Sequence, residues 1–130
     1  MYNSPMARKK ILVVDDDKEW SLLIRLRLEM AGFEAEQAFN GQEALDRIKA
    51  GRPELVLLDI TMPVLSGWEV CQALRKQEST KDLPIVILSS YTQPEDIRQS
   101  KTYGVKRYLI KPCLPETVVQ NVQDVLSQKG

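Results

Sequence analysis

Residues 55–63 read "LVLLDITMP". Four apolar residues, Leu55 to Leu58, run without a break into one acid, Asp59, and a proline follows at Pro63. A short apolar run without alternation marks a strand covered on both faces, as in a parallel sheet. Ending that run on a carboxylate places a charge where the strand leaves the core. Other runs share the form. "KKILVVDDD" (9–17) ends on Asp15, Asp16 and Asp17, "LPIVILSS" (83–90) on Ser89 and Ser90, and "KRYLIK" (106–111) on Lys111. "FEAEQAF" (33–39) alternates and reads as a fifth, short strand.

Helical segments separate these strands. In "KEWSLLIRLRLEMAG" (18–32), Trp20, Leu23, Leu26 and Met30 recur near helical spacing and are expected to form the apolar face, with Gly32 as the stop. "NGQEALDRIKAG" (40–51) is a turn and a helix closed by Gly51, and "VLSGWEVCQALRKQ" (64–77) is a loop and a helix. "PEDIRQSKTYG" (94–104) and "PETVVQNVQDVLSQ" (115–128) each begin on proline, a first-turn residue. Five strands alternating with five helices predict an α/β domain whose parallel sheet is covered on both faces.

The bulk composition excludes several function classes. At 130 residues the chain has the size of one domain. Eighteen basic and eighteen acidic residues cancel, and no basic run suggests nucleic acid or a membrane surface. With no His, catalytic triads and His-ligated metals are excluded. Cys71 and Cys113 lack metal or redox spacing, so a reducing, cytoplasmic location is expected. Residues 1–8 read as a flexible N-terminal tail and 9–130 as the domain. With no module after the last helix, the chain is expected to act alone on another protein.

The polar strand ends share one place. In an open parallel sheet the C-terminal strand ends lie on one edge, where ligands bind. Asp15, Asp16 and Asp59 would crowd negative charge there, and like charges raise one another's pKa. A hard divalent cation, Mg2+, relieves that crowding through oxygen ligands. Lys111 adds a fixed positive charge and Ser89 a hydroxyl. A carboxylate nucleophile, a metal, a lysine and a hydroxyl together can hold a phosphoryl group while the carboxylate attacks its phosphorus.

"ILVVDDD", "LLDITMPVLSG", "VILSS" and "YLIKP", in that order, resemble the receiver domain of two-component response regulators. The resemblance implies a flavodoxin-like (βα)5 fold, doubly wound, with five parallel strands in the order 2-1-3-4-5. Within it Asp59 matches the phosphoacceptor, fed by a histidine kinase or a His-containing phosphotransfer protein. Asp16, Asp59 and the backbone carbonyl of Thr61 match direct Mg2+ ligands, and Asp15 matches an acid acting through water. Ser89 matches the hydroxyl that moves to the phosphoryl group, Lys111 the lysine that pairs with it, and Tyr108 an aromatic switch. Pro112 matches a proline after a cis peptide, and Gly67 and Gly104 match turn glycines. Cys113 departs from the usual Phe. Thr61 and Tyr91 match residues flanking the approach of water, and their chemistry predicts a slowly hydrolysed phosphoryl group.

The implied function is a phosphorylation-activated switch, not a turnover enzyme, that assists its own phosphorylation and dephosphorylation. Its fourth helix, fifth strand and fifth helix would control a downstream protein. Neither nucleic acid nor membrane is a direct partner, and the expected state is a monomer or a weak phosphorylation-dependent dimer. The main rival is an aspartyl phosphatase of the haloacid-dehalogenase class. That class places a second Asp where Thr61 stands and puts its nucleophile after the first strand. A flavin mononucleotide carrier would need a phosphate-cradling first loop, and "DDDKE" (15–19) would repel phosphate. Asp17 reads as a helix cap, Trp20 and Trp68 as packing residues, and Cys71 as core.

Overall fold

The computed structural model describes residues 8–62, 64–90 and 93–128. Residues 1–7 of the expected tail, Pro63 and Tyr91 lie outside the described residues. Strands β1 (Lys10–Val14), β2 (Glu34–Ala38), β3 (Leu55–Leu58), β4 (Ile85–Ser89) and β5 (Arg107–Ile110) alternate with helices α1 (Lys18–Met30), α2 (Gly41–Ala50), α3 (Gly67–Arg75), α4 (Pro94–Thr102) and α5 (Pro115–Ser127). All strand pairs are parallel, in the order β2-β1-β3-β4-β5. The flavodoxin-like topology is therefore present.

Successive strand residues point to opposite faces, which explains why the central runs are apolar throughout. Leu12, Val14, Val56, Leu58, Ile85 and Ile87 bury one sheet face under Ala44, Ile48, Val70, Cys71 and Leu74 of α2 and α3. Ile11, Val13, Leu55, Leu57, Val86 and Leu88 bury the other under Ile24, Leu28, Val118, Val122 and Val125 of α1 and α5. Cys71 is core, as expected. At roughly 1.5–3 kcal/mol per buried aliphatic side chain, these two layers supply most of the favourable folding energy.

Helix α1 corrects one expectation. Its buried residues are Ser21, Ile24 and Leu28, whereas Leu23, Leu26 and Met30 are 39%, 45% and 80% exposed. The spacing identifies a helix but the wrong face, because apolar residues stand on both of its sides. Buried Ser21 accepts a hydrogen bond from Gln37 Nε2 at 3.0 Å.

The helices towards the β5 edge are held differently. Helix α4 buries none of its residues. It is tied to α3 by two aromatic and one guanidinium contact. Trp68 Nε1 donates to Asp96 Oδ1 at 3.2 Å, and the Trp68 ring stacks on Tyr103 with centroids 6.3 Å apart. Arg75 donates to the backbone carbonyls of Tyr103 (2.7 Å), Leu83 (2.9 Å) and Thr80 (3.3 Å). Among the described residues, no helix is long and apolar enough to cross a membrane.

Candidate functional site

The strand ends deliver their polar residues to one edge, each by a local device. β1 passes straight into Asp15, whose Oδ1 accepts from the Asp17 N–H at 2.9 Å. Asp17 Oδ1 in turn accepts from the Trp20 N–H at 3.1 Å, so Asp17 caps α1 as expected. Asp59 is 8% exposed; its N–H donates to the Val14 carbonyl at 3.0 Å, and its Oδ1 accepts from the Thr61 N–H at 3.0 Å. Gly67 lets α3 close over this turn: a Cβ there would stand 2.5 Å from Ile60 Cα and 2.6 Å from the Asp59 carbonyl oxygen. Its role is thus close approach, and of the two expected turn glycines only Gly104 has a positive φ (65°).

Ser89 ends β4, fully buried, and its carbonyl accepts from the Lys111 N–H at 2.9 Å. The Lys111–Pro112 peptide is cis. Lys111 Nζ donates to Asp15 Oδ2 at 2.7 Å and reaches Asp59 Oδ2 at 3.4 Å. One carboxylate oxygen from each of Asp15, Asp16 and Asp59 lies within 4.8 Å of the others. Asp15 and Asp59 are buried and Asp16 faces solvent.

The charges are unevenly balanced. Burial raises the Asp59 carboxyl above its ordinary range and the Asp15 charge adds to this, while the Thr61 N–H and Lys111 oppose it. Burial acts to lower the Lys111 ammonium, but its hydrogen bond to Asp15 and the charges of Asp15 and Asp59 outweigh it and hold the pKa up. One ammonium beside three acids leaves room for a cation, and an all-oxygen donor set fits a hard divalent ion.

Tyr108 stands apart from this cluster. It pairs in register with Ile87 and is half-buried against the core layer on the α3 side of the sheet, the layer that Trp68 and Tyr103 also pack against. Burial, with the charges of Asp96 and Asp59, pushes its phenol up to about 12, so it stays neutral at physiological pH. Two contacts escape a reading of the sequence. The Trp20 ring lies under Lys111, with Nζ 5.9 Å from its centroid, and Trp68 bonds to Asp96. Trp20 follows the Asp17 cap by one helical turn, which is the available signal for the first.

Four buried or bridged groups, Asp15, Asp59, Ser89 and Lys111, stand at the ends of four strands, in a sheet of this strand order. The family model described as "Response regulator receiver domain" matches residues 11–123. The chain belongs to the response regulator receiver domain family.

Similar proteins agree. The phosphate regulon transcriptional regulatory protein PhoB of Pseudomonas aeruginosa is 36% identical over 96% of this chain and 55% of its own length. The chemotaxis protein CheY4 of Vibrio cholerae superposes with a TM-score of 0.86 at 36% identity, covering 92% of this chain and 99% of that one. The phosphorylated cyanobacterial phytochrome response regulator RcpA superposes with a TM-score of 0.81 at 29% identity, covering 95% and 98%. The chain spans about half the length of the curated relatives it matches. A receiver domain is a phosphorylation-activated signalling switch, and the family membership displaces the haloacid-dehalogenase alternative.

Proposed function

We propose that Asp59 is the phosphoacceptor of this receiver domain, with a histidine kinase or a His-containing phosphotransfer protein as donor. The observation that carries this reading is a nearly buried carboxylate held at the end of β3 by the Thr61 N–H, with Lys111 Nζ 3.4 Å from its other oxygen. In the transfer, an Asp59 oxygen forms a bond to phosphorus as the bond to the donor's imidazole nitrogen breaks. Lys111 and the Ser89 hydroxyl then hold the phosphoryl oxygens, which is how the domain assists its own phosphorylation. Asp15, Asp16, Asp59 and the Thr61 carbonyl would hold Mg2+. When bound, that ion supplies positive charge that offsets the crowded acids and the incoming phosphoryl group.

A protein donor must approach from the strand-end edge. Leu22 and Leu23 in the first half of α1, and Leu114 three residues after Lys111, are exposed apolar side chains on segments that leave this edge. On the output side, we assign the partner surface to α4, β5 and α5, with Tyr108 as the switch. Helix α4 has no buried side chain to extract, so its rearrangement is inexpensive. A shift of about 1–3 kcal/mol would change a partner's affinity roughly 5- to 150-fold. The downstream partner is a protein, and the site of action is the cytoplasm.

The test is the intact mass after incubation with a small acyl phosphate and Mg2+. The wild-type protein gains one phosphoryl group and Asp59→Asn gains none. An equal gain in the variant refutes the assignment. Lys111→Ala should lose the phosphorylation-induced change while retaining Mg2+ binding by titration.

A further inference from the structure

The lysine of the site is held on a third side that its carboxylate partners do not explain. Lys111 has a four-carbon stem and a strongly hydrated ammonium, a side chain with many rotamers. Asp15 draws that ammonium at 2.7 Å, closer than Asp59 at 3.4 Å. A phosphoryl group on Asp59 needs the opposite bias. The Trp20 ring is the element that meets the lysine from α1, with Nζ 5.9 Å from its centroid. That lies within the reach of a cation over an aromatic face, and tryptophan is the strongest such partner. Asp17, Trp20, Lys111 and Pro112 together line a cleft of about 150 Å³.

A second observation concerns the same ring. Trp20 Nε1 is buried and finds no hydrogen-bond partner among the described residues. A buried tryptophan normally satisfies its N–H, and leaving a donor unpaired is costly. The indole thus turns its face to Lys111 while its N–H has no partner among the described residues. A purely space-filling residue in the α1/α5 layer has no reason to accept that arrangement.

We propose that Trp20 is a positioning residue for Lys111: its ring face holds the ammonium over the Asp15–Asp59 pair, ready for a phosphoryl group on Asp59. The proposal rests on the reading of Asp59 as phosphoacceptor. Trp20 touches neither the donor nor the phosphorus; it acts through the lysine.

The experiment measures phosphorylation by a small acyl phosphate with saturating Mg2+ in Trp20→Leu, Trp20→Phe, Lys111→Ala and the Trp20→Leu/Lys111→Ala pair. Trp20→Leu should slow the maximal rate about 3- to 10-fold, with Mg2+ affinity unchanged. Trp20→Phe, which keeps an aromatic face, should restore most of it. In the Lys111→Ala background, Trp20→Leu should have no further effect. An equal slowing in both backgrounds, or a folded Trp20→Phe as slow as Trp20→Leu, overturns the proposal. If Asp59→Asn keeps the added phosphate, the acceptor is misassigned and the Trp20 role falls with it, an outcome distinct from the preceding two. Should Trp20→Leu fail to fold, the native indole N–H resonance decides. Lys111→Ala should displace it, and an unmoved resonance rejects the contact.

Discussion

Strands β3 and β5 both end at the same edge and each delivers one charged group, yet they are built to different standards. Every residue of β3 is buried, while β5 is half-buried and its last residue, Ile110, is 51% exposed. The helices beside them repeat the contrast. α3 buries Gly67, Val70, Cys71 and Leu74; α4 buries nothing. An acceptor carboxylate needs a fixed position, and close packing on both faces provides it. A surface that answers to phosphorylation needs alternatives of nearly equal energy, and sparse burial provides those. On the roles proposed above, the fold divides these demands between its centre and one margin.

The contrast is open to a direct challenge. Leu57→Ala, deep in β3, should cost about 2–5 kcal/mol in urea unfolding. Leu109→Ala, on partly buried β5, should cost roughly half that or less. Equal losses would show that β5 is as firmly built as β3.

A smaller effect tests what the rigid centre imposes. The Asp59 carboxyl is held above its ordinary value of 3.8 in the fold, chiefly by burial. The folded chain therefore binds this proton more tightly than the unfolded chain does, and stability falls as pH rises from 3.8 through the folded value. Metal-free Asp59→Asn should melt several degrees above the wild type at neutral pH. The gain should close below pH 3.8, and Mg2+ should narrow it at neutral pH. No gain at neutral pH would mean that Lys111 and the Thr61 N–H already compensate the charge.

The smallest effect belongs to the margin. Trp68→Phe keeps a ring against Tyr103 and removes the hydrogen bond to Asp96. Global stability should fall by about 0.5–1.5 kcal/mol or less. Amide exchange should accelerate in the first turn of α4 and stay unchanged in α2. Acceleration spread evenly over both helices would erase the distinction between centre and margin.

Most of the centre is legible in the residue order. Leu55–Leu58 and Ile11–Val14 are apolar at every position because both of their faces are covered, and few other environments tolerate that. Asp15, Asp59, Ser89 and Lys111 stand out as polar residues at the ends of such runs, and the fold does bring them to one edge. The outer face of α1 is not legible. Leu22, Leu23 and Leu26 match Ile24 and Leu28 in hydropathy, so spacing alone does not choose the buried side, and Ser21 is buried through a partner 16 residues away. The contacts Trp20–Lys111 and Trp68–Asp96 join residues 91 and 28 positions apart. Such pairs exist only once the sheet order has brought them together.

Arg75 gives α4 a mechanical character. Its guanidinium anchors the carbonyl of Tyr103, just past the end of the helix, whereas one indole hydrogen bond reaches the first turn at Asp96. Were such a rod to tilt, the Arg75 anchor would make the Tyr103 end its pivot. Nine residues make a lever roughly 13 Å long, so a tilt of about 10° moves its free end by about 2 Å. The end that would move is the one at Pro94, held by the single indole bond to Asp96, and such a displacement would fade towards Tyr103.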